Sequence, residues 1–233
     1  MTEPHATVIL AISADGKIAD AVRSPARFGS ANDKAHLEQQ VAASDAVLFG
    51  NGTLQAYGTT MRVISPELLE QRELQGKPLQ PVQIVCSRSS QFDPNLRFFQ
   101  QPVPRWLLTG QDIRHTAMPF PYPMTNSKFD RIIYAKTAGG EIDWIDAFQQ
   151  LANFDIQRLA ILGGGKLVAS VLAAGLVDEL WLTVCPLILG GADAPTPVEG
   201  KGFLADLAPK LQLLAVKQVG QEVFLHYRVD RTN

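Results

Sequence analysis

Seven short runs of apolar residues recur along the chain, and each is continuously apolar rather than alternating with polar positions. Such runs are typical of strands that are buried on both faces of a sheet. They predict strands at 7–13, 46–50, 81–86, 105–109, 131–135, 158–162 and 179–185.

Helical spacing of apolar side chains appears between several of these runs. A helix at 143–153 is predicted because four apolar residues fall on one face: Trp144, Ala147, Phe148 and Leu151. Further helices are predicted at 31–43, 66–75 and 166–175, with start or stop residues such as Pro66 and Gly175. This alternation of strands and helices predicts an α/β fold whose sheet is mostly parallel.

The last 25 residues follow another pattern. After 210–219 and a turn at Gly220-Gln221, one set of side chains (Val223, Leu225, Tyr227, Val229) alternates with another (Phe224, His226, Arg228). This predicts an antiparallel hairpin at the sheet edge with one solvated face, on which His226 has no partner.

Residues 87–130 are irregular and rich in proline and phenylalanine. Because they enclose the strand at 105–109, we interpret them as loops of one domain that spans 1–233, rather than as a linker. The chain has 233 residues, 46% hydrophobic and 19% charged. That composition suits a sizeable globular domain.

The charge pattern argues against several classes of partner. A net charge of −2 without basic runs offers no field for nucleic acid or anionic lipid. The amino-terminal apolar run is short and follows an acid, and no run reaches the ~18–20 residues of a membrane span. We therefore expect a cytoplasmic protein without a membrane or nucleic-acid partner. Cys86 and Cys185 lie in apolar strands and are expected to be buried.

No pattern of nucleophilic or metal-dependent catalysis is present. The chain lacks a G-x-S-x-G elbow, and its four histidines lie in unrelated contexts: His5, His36, His115 and His226. Neither H-x-x-x-H nor C-x-x-C occurs. The catalytic residue therefore remains unassigned, and no metal is expected.

Two glycine turns directly follow predicted strands. The first comprises Gly50, Asn51, Gly52 and Thr53, and the second runs from Gly163 through Gly164, Gly165 and Lys166 to Leu167. Where a parallel strand ends and a helix begins, free backbone N–H groups favour anions, and glycine lets the backbone approach them. The turns could hold the phosphates of one ligand, or they could be tight turns that only pack a helix on a strand. Neither the Walker pattern nor G-x-G-x-x-G is met.

A third polar segment follows the strand at 81–86. Ser87 and Arg88 stand at its end, where a hydroxyl beside an arginine suits an additional phosphate such as that on the adenosine ribose of NADPH. A polar loop capped by serines explains the same residues.

The order of these motifs resembles the reductase domain of the bifunctional riboflavin-biosynthesis protein RibD. Residues 11–19 (AISADGKIA) resemble its S-x-D-G-(R/K)-x-A opening, and 45–54 (DAVLFGNGTL) its A-(V/I)-L-x-G-x-x-T turn. Residues 162–167 (LGGGKL), 176–180 (LVDEL) and 186–191 (PLILGG) match its carboxyl half. The resemblance covers nearly the whole chain.

The resemblance implies a dihydrofolate reductase-like three-layer fold and a reductase similar to 5-amino-6-(5-phosphoribosylamino)uracil reductase, which uses NADPH. It implies that Gly50–Thr53, Ser87 and Gly163–Leu167 hold the cofactor, with Ala11 against the nicotinamide. The resemblance also implies a homodimer.

Departures from the family pattern fall on the positions that bind the substrate. Leu162 replaces a glutamate, Val41 replaces an arginine, and 56–62 (AYGTTMR) replace D-(D/N)-P-x-L-x-x-R, which leaves Arg62 at a different offset. Asp15 is the one acid in a motif loop near the expected cofactor, and it serves either a proton relay or an Asp-Gly turn. Asp15, Arg62 and Leu162 are therefore the candidate substrate-binding residues.

Because a site built from buried charges discriminates steeply, these losses predict a different substrate, a pyrimidine, pteridine or similar heterocycle. The alternative hypothesis is an NADPH-binding protein without turnover that acts as a sensor or partner.

Overall fold

A computed structural model describes residues 3–110 and 128–231. Its strands are β1 (His5–Ser13), β2 (Ala46–Gly50), β3 (Val82–Cys86), β4 (Arg105–Gly110), β5 (Arg131–Ala135), β6 (Thr137–Ala138), β7 (Glu141–Ile142), β8 (Arg158–Ile161), β9 (Glu179–Cys185), β10 (Lys210–Val219) and β11 (Glu222–Asp230). Its helices are α1 (Ala31–Ala43), α2 (Asn51–Tyr57), α3 (Pro66–Leu74), α4 (Trp144–Ala152) and α5 (Gly165–Ala173), with a short 3-10 helix at Arg97–Gln100.

Nine strands form one sheet in the order β10-β11-β9-β1-β8-β2-β3-β4-β5. All pairs from β9 to β5 are parallel, and β11 pairs antiparallel with both β9 and β10. The predicted α/β architecture, all seven strands and the hairpin at the sheet edge are confirmed. β6 and β7 form a separate two-stranded ribbon that the sequence did not predict.

Two hydrophobic cores lie on opposite faces of the sheet. Along β1, Ile9 packs on one side with residues of α1, α2 and α3, and its neighbours Val8 and Leu10 pack on the other with residues of α4 and α5. This alternation buries both faces, which explains the continuously apolar strands. The predicted three layers are confirmed.

The helices begin close to where the sequence predicts them. α1, α3 and α4 are capped by side chains of Ser30, Ser65 and Asp143, which accept backbone N–H groups of their first turns. α2 was not predicted as an element, because its seven residues are too few for a clear apolar period.

The irregular region at 87–130 carries the predicted strand β4 and an aromatic cluster. Phe98 is fully buried and contacts Phe49, Phe99 and Phe129 at ring-centroid distances of 6.0, 5.1 and 6.4 Å. The phenylalanines of this region therefore extend the core on the α1 side. Residues 111–127 of this region, which include His115, lie outside the described residues.

The prediction for the solvated face of the hairpin is wrong. Phe224 is buried against His36 of α1, with ring centroids 5.2 Å apart. His226 stacks on Trp181 at 3.9 Å, and its Nε2 lies 2.9 Å from Glu179 Oε2. The alternating pattern failed because α1 covers the face that was expected to meet solvent. β10, in contrast, is exposed along nearly its whole length.

Candidate active site

A cavity of about 810 Å³ lies at the carboxyl ends of β1, β2, β3 and β8. Its lining includes the ends of these strands, the first turns of α2 and α5, and part of the segment between β1 and α1. In a parallel sheet, the loops that follow the strands all lie at the carboxyl ends, so residues far apart in sequence meet there.

All twelve residues predicted to hold the cofactor line this cavity. They are Ala11, Gly50, Asn51, Gly52, Thr53, Ser87, Arg88, Gly163, Gly164, Gly165, Lys166 and Leu167. The structure thus brings the two glycine turns and the serine–arginine segment together, although what they bind stays a prediction.

The ends of β2 and β8 are directly hydrogen-bonded neighbours. The Gly50 N–H donates to the Gly163 carbonyl at 2.9 Å, and the Leu162 N–H donates to the Leu48 carbonyl at 2.9 Å. A methyl group added at Gly164 would lie 3.5 Å from Thr53 Oγ1. The two turns therefore face each other across a narrow gap that a larger residue would fill.

Two helices begin at these glycines without a side-chain cap. Gly50 and Gly164 are the N-cap residues of α2 and α5, and neither helix has the side-chain hydrogen bond that caps α1, α3 and α4. First-turn N–H groups need an acceptor from a cap, water or a ligand. At α5, these donors and the positive end of the helix dipole favour an anion.

The three consecutive glycines serve different purposes. Gly163 has φ +100°, a backbone conformation that favours glycine, and the Gly163–Gly164 peptide is cis. Gly164 borders the gap to Thr53, as described above. At Gly165, a methyl group would clash with the Thr196 carbonyl and lie 2.7 Å from Glu199 Cγ. All three glycines line the cavity, but packing within the protein already explains the third.

The segment after β3 presents hydroxyl and guanidinium groups. Ser87 is buried and its Oγ accepts the Ser90 N–H at 3.1 Å, so it is fixed in the loop. Arg88 Nη1 lies 2.6 Å from Glu141 Oε1 in an exposed ion pair, with side chains 66% and 72% exposed. A pair this exposed contributes only about 0–1 kcal/mol, so Arg88 can exchange Glu141 for another anion at little cost.

Four of the six charged side chains that line the cavity form two ion pairs, and the other two have no ion-pair partner among the described residues. Arg23 Nη2 lies 2.8 Å from Glu199 Oε1, and Arg88 pairs with Glu141. Lys166, in the first turn of α5, and Asp33, in the first turn of α1, have no ion-pair partner within 4 Å among the described residues. Sequence reasoning missed Arg23, Asp33 and Glu199, because none belongs to a recognisable motif.

Apolar and hydroxyl side chains make up much of the remaining lining. The apolar ones include Ile18, Leu37, Phe49, Met61 and Leu162, and Thr59 and Thr60 are among those that carry hydroxyl groups. Leu162 lines the cavity and offers no charge, and its role in binding the substrate stays a prediction. Val41, which replaces the family arginine, is fully buried in the core and does not reach the cavity.

Asp15 and Arg62 are not among the described residues that line the cavity. The Asp15 carboxylate instead accepts the Ser13 hydroxyl at 2.6 Å and the backbone N–H groups of Leu189 and Gly190 at 3.1 and 2.7 Å. These hydrogen bonds, led by that from Ser13, lower the pKa of Asp15 to about 2. The turn interpretation of Asp15 therefore fits the structure, and a proton relay does not.

Neither cysteine is poised as a nucleophile. Both are free; Cys185 is buried and Cys86 half-buried. Burial is the largest cause that raises the pKa of each thiol to about 12. Within the described ranges, no group of three or more His, Cys, Asp or Glu residues could hold a metal ion, and no helix is long and apolar enough to cross a membrane.

Solved structures with this fold include reductases. A pyrimidine reductase-like protein from Corynebacterium diphtheriae superposes with a TM-score of 0.78 at 22% identity, covering 98% of this chain and 93% of that one. Dihydrofolate reductase from Enterococcus faecalis, complexed with NADP(H), matches with a TM-score of 0.51 at 10% identity, covering 97% and 96%. The dihydrofolate reductase-like fold is thereby confirmed.

The sequence comparisons identify a narrower group of proteins than the fold does. The 2,5-diamino-6-ribosylamino-4(3H)-pyrimidinone 5′-phosphate reductase of Archaeoglobus fulgidus is 27% identical over 230 residues, which cover 98% of this chain and 99% of that protein. The RibD C-terminal domain profile matches residues 4–225. This chain therefore belongs to the RibD C-terminal domain family.

Proposed function

We propose that the protein is an NADPH-dependent reductase that transfers hydride to a pyrimidine-type small molecule. The observation that carries the proposal is the convergence of both glycine turns, the uncapped α5 and the Ser87-Arg88 segment on one cavity. A volume of about 810 Å³ falls in the usual range of small-molecule sites, roughly 300–1,000 Å³. The name of the Archaeoglobus fulgidus relative supports a ribosylaminopyrimidine phosphate as substrate.

The residues present fit the cofactor. The first-turn N–H groups of α5, together with Lys166, would hold the pyrophosphate, because they combine donors that no side chain caps with a positive charge. Ser87 and Arg88 would hold a phosphate on the adenosine ribose. Ala11 has a small side chain on the cavity wall, so a flat nicotinamide ring can lie against β1 there.

When bound, NADPH supplies the hydride. The protein's own part is to hold the acceptor carbon in place and to exclude water, which the apolar side chains on the substrate side do. Such a site needs little acid–base apparatus, which agrees with the absence of a catalytic motif in the sequence.

The experiment is a fluorescence titration with NADPH, followed by a turnover assay at 340 nm with the ribosylaminopyrimidine phosphate. We expect binding in the micromolar range and oxidation of NADPH only when substrate is present. Absence of binding up to about 1 mM, the upper end of common KM values, contradicts the proposal. Binding without oxidation, over a panel of pyrimidines and pteridines, supports the alternative of a sensor without turnover.

We further propose that the protein forms a homodimer through β10, with a second copy of this chain. β10, ten residues long, pairs with β11 on one side and with no strand of the described residues on the other, and it exposes Leu211, Leu213, Leu214 and Val216. Long apolar edges recruit another strand unless they are blocked. Antiparallel pairing of two β10 strands would join both sheets through backbone hydrogen bonds and place these side chains beside those of the partner strand.

Light scattering on a sizing column tests this assembly. The wild-type protein should elute as a dimer. Leu213→Lys should elute as a monomer that still unfolds in one cooperative thermal transition, because it loses only the stability that the dimer adds. Lys34→Glu, on the exposed face of α1, is a control for the change of charge. A monomeric wild type contradicts the proposal.

A further inference from the structure

Asp33 occupies a distinctive position on the cavity wall. It lies in the first turn of α1, lines the cavity, and its carboxyl interacts with the side chain of Thr183 on β9. Thr183 pairs in register with Ala11 of β1, the residue on the cavity wall where the nicotinamide is expected. Asp33 therefore lies close to the place where the ring of a substrate must meet the cofactor.

A buried carboxylate fixes the backbone that carries Asp33. Glu222 is 3% exposed, and it accepts the backbone N–H and the hydroxyl of Ser30 at 2.7 and 2.5 Å. Ser30 in turn caps α1 by accepting the Asn32 and Asp33 N–H groups. A methyl group at Gly29 would clash with the Asp33 carboxyl, so glycine there leaves room for it. Glu222 acts as a positioning residue for Asp33.

The carboxyl group of Asp33 has acceptor capacity to spare. The other lining carboxylates, Glu141 and Glu199, are each paired with an arginine, whereas Asp33 has no cation within 4 Å among the described residues. Burial, with a smaller contribution from Glu222, raises the pKa of Asp33 above its ordinary value. A carboxylate in such surroundings gains from donors that a ligand brings.

Two ring types named for this family differ at the edge that a carboxylate can recognise. A 2-amino-4(3H)-pyrimidinone presents its C2 amino group beside the ring N3–H, which are two adjacent donors. A uracil presents its C2 carbonyl beside the N3–H, which is an acceptor next to a donor. Two carboxylate oxygens match the first edge with two parallel hydrogen bonds, but they set oxygen against oxygen at the second.

We propose that Asp33 selects a pyrimidine that carries an amino group at C2 over the corresponding uracil. This inference rests on the proposed function and specifies its substrate. The charge that recognises the substrate would then be supplied from the first turn of α1.

Asp33→Asn tests the inference as a change of preference. The asparagine side chain offers one acceptor and one donor, which matches the uracil edge. The ratio of kcat/KM for 2,5-diamino-6-ribosylamino-4(3H)-pyrimidinone 5′-phosphate to that for 5-amino-6-(5-phosphoribosylamino)uracil should fall about 10- to 100-fold, the loss expected for a charge-assisted hydrogen bond. Asp33→Ala should lose the preference without gaining the uracil substrate. NADPH affinity and thermal midpoint should stay as in wild type, as in the control Asp206→Asn on the exposed surface.

A binding measurement separates this inference from the proposed function. The fragments 2,5,6-triamino-4(3H)-pyrimidinone and 5,6-diaminouracil differ only at C2, and their affinities can be compared by ligand-observed NMR with and without NADPH. Preference for the triamino ring that Asp33→Asn reverses supports the inference even if neither phosphate is reduced. Normal turnover with equal loss for both substrates in Asp33→Asn overturns it and leaves the reductase proposal intact. A wild-type preference for the uracil fragment also overturns it.

Discussion

Replacing Gly164 with alanine separates the role of the glycine loop in folding from its proposed role in binding. Gly164 has φ −76° and ψ −178°, a conformation that any residue adopts. The added methyl group would lie 3.5 Å from Thr53 Oγ1, an ordinary van der Waals distance. Alanine is a poorer N-cap than glycine, so we expect a loss of stability of up to about 1 kcal/mol. For a chain of this length that lowers the thermal midpoint by about 2–4 °C.

The effect on NADPH binding should be much larger. The methyl group enters the gap between the ends of β2 and β8, beside the first-turn N–H groups of α5 that are proposed to hold the pyrophosphate. Loss of one charge-assisted hydrogen bond costs about 1.5–3 kcal/mol, which corresponds to a Kd about 10- to 150-fold higher.

The assay combines NADPH fluorescence titration with thermal unfolding, and the neighbouring glycine provides a contrast. In Gly165→Ala the methyl group meets the Thr196 carbonyl and Glu199 instead of the gap. That variant should therefore lose about 1–3 kcal/mol of stability through overpacking. If Gly164→Ala folds normally and binds NADPH as tightly as wild type, the phosphates do not lie against this loop and the reasoning is refuted.

Two further predictions concern side chains away from the glycine loop. Arg88→Ala should raise the Kd for NADPH about 10-fold and leave the Kd for NADH unchanged. The reason is that the extra phosphate of NADPH is proposed to replace Glu141 as the partner of the exposed Arg88. Equal effects on both dinucleotides would contradict this prediction. The pKa of His36 is lowered, first by burial and then by His226 and Lys217, so its neutral form is favoured in the folded state. Stability should therefore fall as the pH drops below 6.5, and the thermal midpoint of His36→Phe should fall less between pH 7.5 and 5.5 than that of wild type.

The sheet could be predicted almost completely from the sequence, because burial on both faces makes its strands continuously apolar. The failures have local causes. α2 is too short to show a period. β11 appeared to have a solvated face because alternation does not reveal that α1 covers Phe224 through His36. Burial by a distant element is a tertiary effect that no local pattern contains.

Of the candidate site, the sequence predicted the residues proposed to hold the cofactor but not Asp33. The glycine turns could be predicted because glycines directly follow two predicted strands. Ser87-Arg88 could be predicted because it stands at the end of another strand. Asp33 was missed because an acid in the first turn of a helix is explained equally well by capping and by the helix dipole. Its approach to the cavity depends on Glu222, 189 residues further along the chain, whose contact with Ser30 only the fold reveals.

The two proposed sides of the cavity would use different kinds of contact. The proposed cofactor side would rely on backbone N–H groups at the start of α5, which survive any substitution that keeps the glycines and the sheet. The proposed substrate side would rely on side chains, of which Leu162 carries no charge and Asp33 carries one. Because hydride transfer requires only that the acceptor carbon lie against the cofactor, a single side chain such as Asp33 on α1 can set substrate choice without altering the groups proposed to hold the cofactor.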